Sequence, residues 1–389
     1  MASPRHRARF FFHSRNAHVI GALLAAIVLI GTTGCKGFFV PTCQENNDCG
    51  GTTGSYSSYA YVANATTGTL AAFPVPTATF TTLTGSTYTL GTAPSALAAT
   101  PSGSFLYVAT ALGSVFVYTI GTNGALTIGN SGSPVATTLL PTSMTVDPSG
   151  NWLFLVSSSI DALFEYQINT STGVLTQVGA TTGVPLSTGS PTQVYVTPDN
   201  QYVYIGLGLG GTDGFPFNDS SGALGSKVHL APLNGAADNA IAADNNSAYL
   251  FVGEAGSGIR SLTIGTGGSL KEVTGSPFAS QLGPKSIVVD PTNSYVYVAN
   301  KTANVITGYT LGTDGTLTPL SSSPFSTGSS PTAMSLDSTG TYLFVVNSGG
   351  SPDMQVFSFD GTTAGKLDSV TTVATGTDPT GAVALSIVP

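Results

Sequence analysis

Residues 284–300 read PKSIVVDPTNSYVYVAN, and this stretch contains the pattern from which the fold can be predicted. A short apolar run is followed by an Asp-Pro turn, in which proline is preset for the second position. Aromatic residues and valines then alternate, so Tyr295 and Tyr297 share one face of a strand. The stretch therefore predicts an inner strand and a second strand, joined by a tight turn.

The same pattern returns at intervals of 46 to 50 residues. Its copies begin at Pro94, Pro141, Pro191, Asp238, Pro284, Pro331 and Pro379. Each full copy carries two aromatic residues in its second strand. These pairs are Phe105/Tyr107, Trp152/Phe154, Tyr202/Tyr204, Tyr249/Phe251, Tyr295/Tyr297 and Tyr342/Phe344. A fixed period of this length, built from short strands and turns, is typical of β-propeller blades.

A Gly-x-Leu motif marks the later part of each copy, where a hairpin turn leads into an outer strand. It occurs at Gly124/Leu126, Gly173/Leu175, Gly222/Leu224, Gly268/Leu270, Gly315/Leu317 and Gly365/Leu367. With a third strand near residues 305–311, each copy supplies four antiparallel strands. Because the aromatic pair recurs in every copy, we expect it to fill the space between neighbouring blades.

The two ends of the repeat region complement each other. Tyr59 and Tyr61 form an aromatic pair without an inner strand before it, and the segment from Pro379 to Ile387 is an inner strand with nothing after it. Joining them completes the first blade and removes open sheet edges. The prediction is an all-β, seven-bladed propeller over residues 58–389, closed by the C-terminal strand.

The first 34 residues have the composition of an export signal, with four arginines before the apolar run Val19–Ile30. The run ends in Thr-Thr-Gly-Cys, which resembles a bacterial lipobox with Cys35 as the lipid-accepting residue. An uncleaved membrane anchor and an ordinary cleaved signal are the alternatives. The expected location is the bacterial cell envelope, periplasmic or outer-surface, with attachment to the membrane through the N-terminus.

Residues 35–57 are expected to form a tether. Cys43 and Cys49 lie six residues apart, and in an exported protein such a pair most simply closes a small disulfide loop. A metal site would need further cysteine or histidine ligands nearby, which the sequence does not offer. We therefore expect no metal and no cofactor.

Charge excludes one class of partner. After residues 1–34, seven basic and nineteen acidic residues remain, a formal charge of −12. Such a surface is poorly suited to binding the phosphates of nucleic acid. The partner we expect is a protein, a glycan or a small molecule at the mouth of the channel, bound by a monomer.

Several second strands end in a motif that resembles a known repeat. Tyr61-Val62-Ala63-Asn64, Tyr297-Val298-Ala299-Asn300 and Phe344-Val345-Val346-Asn347 look like YVTN propeller repeats. The whole ring resembles the seven-bladed lactonase-like family, which includes 6-phosphogluconolactonases and carboxymuconate-cyclising relatives. This resemblance implies a possible lactone hydrolase, with polar and basic side chains around the channel mouth.

One group of charged residues is expected to converge at that mouth. Loops after the second strand and before the inner strand should open on the same side of the ring, which places Asp238, Glu254 and Arg260 of blade five near Lys285 and Lys301 of blade six. In a lactonase, Glu254 would be the base, with Arg260 and Lys285 as cations, while Asp238 and Lys301 would bind ligand. The alternative is a pair of salt bridges between blades.

The only histidine of the ring, His229, falls in the outer strand of blade four, where we expect a solvated polar position. Few side chains in the chain are typical of catalysis. The sequence therefore favours a non-catalytic binding or scaffold module anchored in the envelope. A lactone hydrolase of the 6-phosphogluconolactonase-like family is the alternative.

Overall fold

The computed structural model describes residues 56–76, 86–136, 140–256, 258–350, 352–373 and 382–389. The predicted signal segment 1–34, the lipidation site Cys35 and the predicted Cys43–Cys49 disulfide lie outside these ranges and stay predictions. Among the described residues, no helix has the length and apolar character needed to cross a membrane.

Seven antiparallel sheets form the blades of the propeller. Blade one contains β1 (Tyr56–Asn64), β2 (Thr69–Pro76) and β3 (Ser86–Thr89). Blade two contains β4 (Pro94–Ala99), β5 (Phe105–Thr110), β6 (Ser114–Ile120), β7 (Leu126–Ile128) and β8 (Val135–Ala136). Blade three contains β9 (Pro141–Val146), β10 (Trp152–Ser157), β11 (Ala162–Ile168), β12 (Leu175–Val178) and β13 (Val184–Pro185).

Blade four contains β14 (Gln193–Val196), β15 (Tyr202–Gly206), β16 (Thr212–Asn218), β17 (Ala223–Leu224) and β18 (Val228–Leu230). Blade five contains β19 (Ala237–Ala243), β20 (Tyr249–Ala255), β21 (Gly258–Ile264) and β22 (Leu270–Glu272). Blade six contains β23 (Pro284–Val289), β24 (Tyr295–Asn300), β25 (Val305–Leu311), β26 (Leu317–Pro319) and β27 (Phe325–Ser326). Blade seven contains β28 (Pro331–Leu336), β29 (Tyr342–Asn347), β30 (Met354–Phe359) and β31 (Leu367–Val373). The last strand of the chain, β32 (Ala382–Val388), belongs to the sheet of blade one.

The predicted closure of the ring is confirmed. Strand β32 pairs antiparallel with β1, so that Tyr59 lies opposite Val388 and Asn64 opposite Ala382. Each inner strand also contacts the inner strands of the blades beside it, all the way around the channel. In four blades the outer strand is broken into two short pieces, which both pair with the third strand.

A side-chain cap explains the recurring turn between the inner and second strands of each described repeat. Asp290 accepts hydrogen bonds from the backbone N–H groups of Ser294 and Tyr295, at 2.7 and 2.6 Å. Asp147, Asp244 and Asp337 repeat this geometry, and in two blades a threonine replaces the carboxylate: Phe105 and Tyr202 donate to Thr100 and Thr197. The cap satisfies amides that start the second strand and would otherwise lack a partner.

In four blades the second aromatic position joins the blade to the next one through a hydrogen bond. Its tyrosine hydroxyl donates a hydrogen bond to the carbonyl of the Gly-x-Leu glycine in the following blade. The four pairs are Tyr61–Gly124 at 2.7 Å, Tyr107–Gly173 at 2.9 Å, Tyr204–Gly268 at 3.0 Å and Tyr297–Gly365 at 2.8 Å. Where Phe251 replaces tyrosine, Ser261 donates to Gly315 instead, at 2.7 Å.

The first aromatic position packs directly on the same glycine. A Cβ added to Gly315 would lie 2.4 Å from Cε1 of Tyr249, and one added to Gly124 would lie 2.1 Å from Cδ1 of Tyr59. These glycines also have positive φ angles, +81° for Gly315. Both repeated motifs therefore belong to one contact between blades, which confirms the expected packing role of the aromatic pairs.

We predict that Gly315→Ala destabilises the protein more than Gly267→Ala does. Gly267 has a similar φ of +70°, but its added Cβ would meet nothing within 4 Å. Both variants carry similar backbone strain, so the difference between their losses in unfolding free energy reports the clash with Tyr249. We expect this difference to be roughly 1–3 kcal/mol. Chemical denaturation of both variants measures it, and equal losses would contradict the packing role.

Candidate functional site

All five charged residues expected at the channel mouth lie on one side of the ring. We call this side the upper face: it is where the inner strands begin and the second strands end. Asp238 stands in β19 directly opposite Glu254 in β20, and Pro284 pairs with Asn300, the residue before Lys301. The expectation that these loops open on the same face is confirmed by this register.

Arg260 is buried in β21, with only 3% of its surface exposed. Its Nη1 donates to Glu254 Oε1 and to the Ala231 carbonyl, both at 3.0 Å. Its Nε and Nη2 contact Glu272 Oε1 at 2.7 and 2.5 Å. The guanidinium is thus held by two carboxylates and one carbonyl between blades four and five, and it does not lie open to the channel.

Glu254 and Asp238 form a buried carboxyl pair beside this arginine, and both are fully buried. Glu254 Oε1 also accepts the Leu233 amide at 2.9 Å, and Asp238 Oδ2 accepts the Thr212 hydroxyl at 2.6 Å. The second oxygen of each carboxyl, Asp238 Oδ1 and Glu254 Oε2, has no donor among the described residues. One proton held between the two carboxyls would give both oxygens a partner.

The electrostatics of the pair agree with a shared proton. Burial is the main cause that raises the pKa of Asp238, to about 7, and the charge and hydrogen bond of Glu254 add to it. The Thr212 hydrogen bond and the charge of Arg260 act in the opposite direction. Two carboxyls this close cannot both ionise cheaply in a buried site, so we expect the pair to hold one proton below about pH 7.

Blade five departs from the repeat at these positions. Where Asp238 stands, the other described blades with this position have proline, and where Glu254 stands they have asparagine, threonine, serine or leucine. In blade six, for example, Asn300 donates to Thr307 at 2.8 Å, and Thr307 occupies the position of Arg260. The charged cluster therefore replaces a neutral polar contact of the same geometry.

Lys285 and Lys301 form a separate pair in blade six. No ion pair within 4 Å joins either lysine to the carboxyls of blade five, or to any other carboxylate of the described residues. Lys285 is half-buried and Lys301 is exposed. The sequence analysis was therefore wrong to place all five residues in one cluster, because the sheet of blade five separates the buried face of Glu254 from blade six.

A second polar cluster, which the sequence analysis did not foresee, centres on Asp213 in β16. Asp213 is fully buried and accepts the Ser187 amide at 2.7 Å and the Ser187 hydroxyl at 2.8 Å. His229 Nδ1 lies 2.8 Å from Asp213 Oδ1, and Lys227 Nζ lies 3.5 Å from Oδ2. We call these four residues the blade-four cluster.

His229 has a geometry suited to accepting a proton. An ionised Asp213 can only accept, so a neutral imidazole paired with it carries its hydrogen on Nδ1 and has a lone pair on Nε2. The imidazole side chain is 40% exposed, whereas Asp213 is buried beneath it. Repeat alignment could have found this pair, because Asp213 and His229 are register partners in β16 and β18.

A depression of about 470 Å³ lies on the opposite, lower face, beside Tyr59, Phe105, Thr119 and Pro389. Its lining contains no aspartate, glutamate, histidine, lysine or arginine side chain. Within the described ranges, no three His, Cys, Asp or Glu side chains are grouped so as to hold a metal. This depression therefore offers no charged side chain for catalysis, unlike the clusters of the upper face.

We predict that the stability of Asp238→Asn, relative to the wild type, increases steadily as pH rises from about 4 to 7. In this range the native carboxyl pair keeps a proton that the unfolded Asp238 has lost, so this group's contribution to stability falls as pH rises. The measurement is the difference in unfolding free energy between variant and wild type. Asp161→Asn, a half-buried aspartate on the same face, is the control, and a difference that stays constant with pH would contradict the shared proton.

The sequence matches a known protein family over most of its length. A family model described as lactonase, seven-bladed β-propeller, matches residues 52–189 and 190–384. No curated protein sequence matches the chain.

Solved structures share the fold at low sequence identity. A candidate 6-phosphogluconolactonase from Bacteroides fragilis is 18% identical, with a TM-score of 0.70 over 87% of this chain and 100% of that one. The periplasmic gluconolactonase PpgL of Pseudomonas aeruginosa is 17% identical, with a TM-score of 0.65 over 85% of this chain and 99% of that one. From the family match, the chain belongs to the lactonase family of seven-bladed β-propellers.

Proposed function

We propose that the protein is a lactone hydrolase and that His229 activates the attacking water. The observation that carries the proposal is the His229–Asp213 pair, a reachable imidazole oriented by a buried carboxylate, in a chain of the lactonase family. Family membership favours this function over the non-catalytic scaffold that the sequence analysis preferred. The names of the structural neighbours, which include a gluconolactonase, give further support at the level of the fold.

The proposed reaction needs only a base, a donor and water. His229 Nε2 takes a proton from water while the oxygen attacks the lactone carbonyl carbon. The tetrahedral intermediate places negative charge on the former carbonyl oxygen. Lys227, which precedes β18 and shares Asp213 with His229, can donate to that oxygen. The ring C–O bond then breaks, the leaving oxygen takes the proton from His229, and the product is a hydroxy acid.

The set expected from the sequence, Glu254, Arg260 and Lys285, remains an alternative assignment for the same reaction. Glu254 and Arg260 are buried and bonded to each other, so a substrate would have to displace these contacts to reach them. Removing Arg260 would also leave buried carboxylates without their cation, a loss of about 3–5 kcal/mol in stability. We therefore favour the blade-four cluster.

The experiment measures hydrolysis of a panel of aldonolactones by the full chain, above the spontaneous rate. His229→Gln should lower kcat/KM by about 100-fold or more, and Asp213→Asn should act in the same direction by disturbing the tautomer. Thr318→Ala, an exposed outer-strand residue of blade six, is the control and should retain full activity.

Two outcomes would contradict this account. If the wild type hydrolyses no lactone of the panel, the protein is not a lactonase for these substrates and the scaffold hypothesis is preferred. If activity survives His229→Gln but is lost in folded Glu254→Gln, the buried set is catalytic instead.

We also propose that the protein is exported and lipid-anchored at Cys35. The support is the basic and apolar N-terminal segment and the lipobox-like end at Cys35. A Cys35→Ser variant should leave the membrane fraction, because a soluble propeller would be released once the signal is cleaved. Retention of this variant in the membrane would instead support an uncleaved anchor.

A further inference from the structure

The residue after the first position of each repeat, where Pro284 stands in blade six, contributes to a ring around the upper mouth of the channel. In the six blades where it is described, this residue is partly exposed, and in most of them it sits at a β-bulge. The ring consists of Ser95, Thr142, Thr192, Asn239, Lys285 and Thr332. Lys285 is therefore the one charged member among five small polar residues.

The threonines of this ring connect neighbouring blades. Thr142 donates to the Pro191 carbonyl at 3.1 Å, and Thr192 donates to the Asp238 carbonyl at 2.8 Å. A lysine is too long and too strongly charged to repeat this short contact in the same way. Lys285 thus departs from a structural pattern of the ring, as Asp238 and Glu254 do in blade five.

Lys301 lies next to Lys285 on the same face. Its backbone amide donates to the Gly283 carbonyl at 2.7 Å, two residues before Lys285. Burial, followed by the charge of Lys301, lowers the pKa of Lys285. The described residues offer neither ammonium group a carboxylate within 4 Å or a hydrogen-bond acceptor, so two adjacent cations stand uncompensated.

We infer that Lys285 and Lys301 form a binding site for an oxyanion, either a phosphate or a carboxylate, at the mouth of the channel. An anion would neutralise the half-buried ammonium group of Lys285 and receive charge-assisted hydrogen bonds from both lysines. The site does not depend on the blade-four cluster, and it would exist whether or not the protein is a hydrolase.

The test titrates the full chain with inorganic phosphate, with acetate and with gluconate, against sodium chloride at equal ionic strength. Binding is followed by isothermal titration calorimetry, and by the rise in melting temperature that any ligand of the native state produces. We expect phosphate or one of the carboxylates to bind and to raise the melting temperature above the chloride baseline. Comparing the phosphate titration with the acetate and gluconate titrations shows whether the site prefers a phosphate or a carboxylate.

Two substitutions locate the site. Lys285→Met keeps most of the aliphatic stem and should weaken binding of the preferred anion by about tenfold or more, as expected for loss of a charge-assisted hydrogen bond. Lys301→Met should weaken it less, because Lys301 is exposed. Lys271→Met, an exposed lysine on the outer strand of blade five, should leave binding unchanged.

Lys285→Arg provides a check that keeps the charge, and it should retain binding even if Lys285→Met folds poorly. The inference is overturned if no anion binds better than chloride. It is equally overturned if binding is the same in Lys285→Met, Lys301→Met and Lys271→Met.

Discussion

The contact between an aromatic pair and a glycine of the next blade is the interaction on which the rest of the ring depends. The first aromatic ring lies where the glycine would carry a Cβ, and the second donates its hydroxyl to the carbonyl of that glycine, as Tyr295 and Tyr297 do with Gly365. Such a contact combines apolar burial with a satisfied buried hydroxyl. Blades one to six each place an aromatic residue on a glycine of the following blade, and the pairing of β32 with β1 closes the ring.

The residues that recur in every blade form the packing contacts, and the candidate functional residues stand at positions where a blade departs from the repeat. Blades four, five and six contain three such exceptions on the upper face: the Asp213–His229 pair, the cluster around Arg260, and the lysines at 285 and 301. Their burial decides what each can do. A buried arginine with carboxylate partners stabilises the interface between two blades, whereas a partly exposed imidazole or ammonium group can meet a ligand.

The sequence was sufficient to predict the fold because period, aromatic spacing and turn residues all agree on one architecture. It also predicted that residues such as Glu254 and Lys285 share a face, since strand direction alone determines this. It did not predict which side chains touch. That depends on the face of the sheet each residue occupies, which a bulge such as the one at Lys285 shifts by one position. The sequence predicts a solvated position for His229, because its partner Asp213 lies opposite it only once the third and outer strands are paired.

The most direct test of this account is the thermal unfolding of the full chain compared with a chain that ends before Pro379. The truncation removes β32, and with it the inner strand of blade one and the contacts of that strand with β4 and β28. If the blades are stable only through their neighbours, the truncated chain should melt at a clearly lower temperature and with a broader transition. An unchanged melting temperature would show that the blades do not need the closed ring.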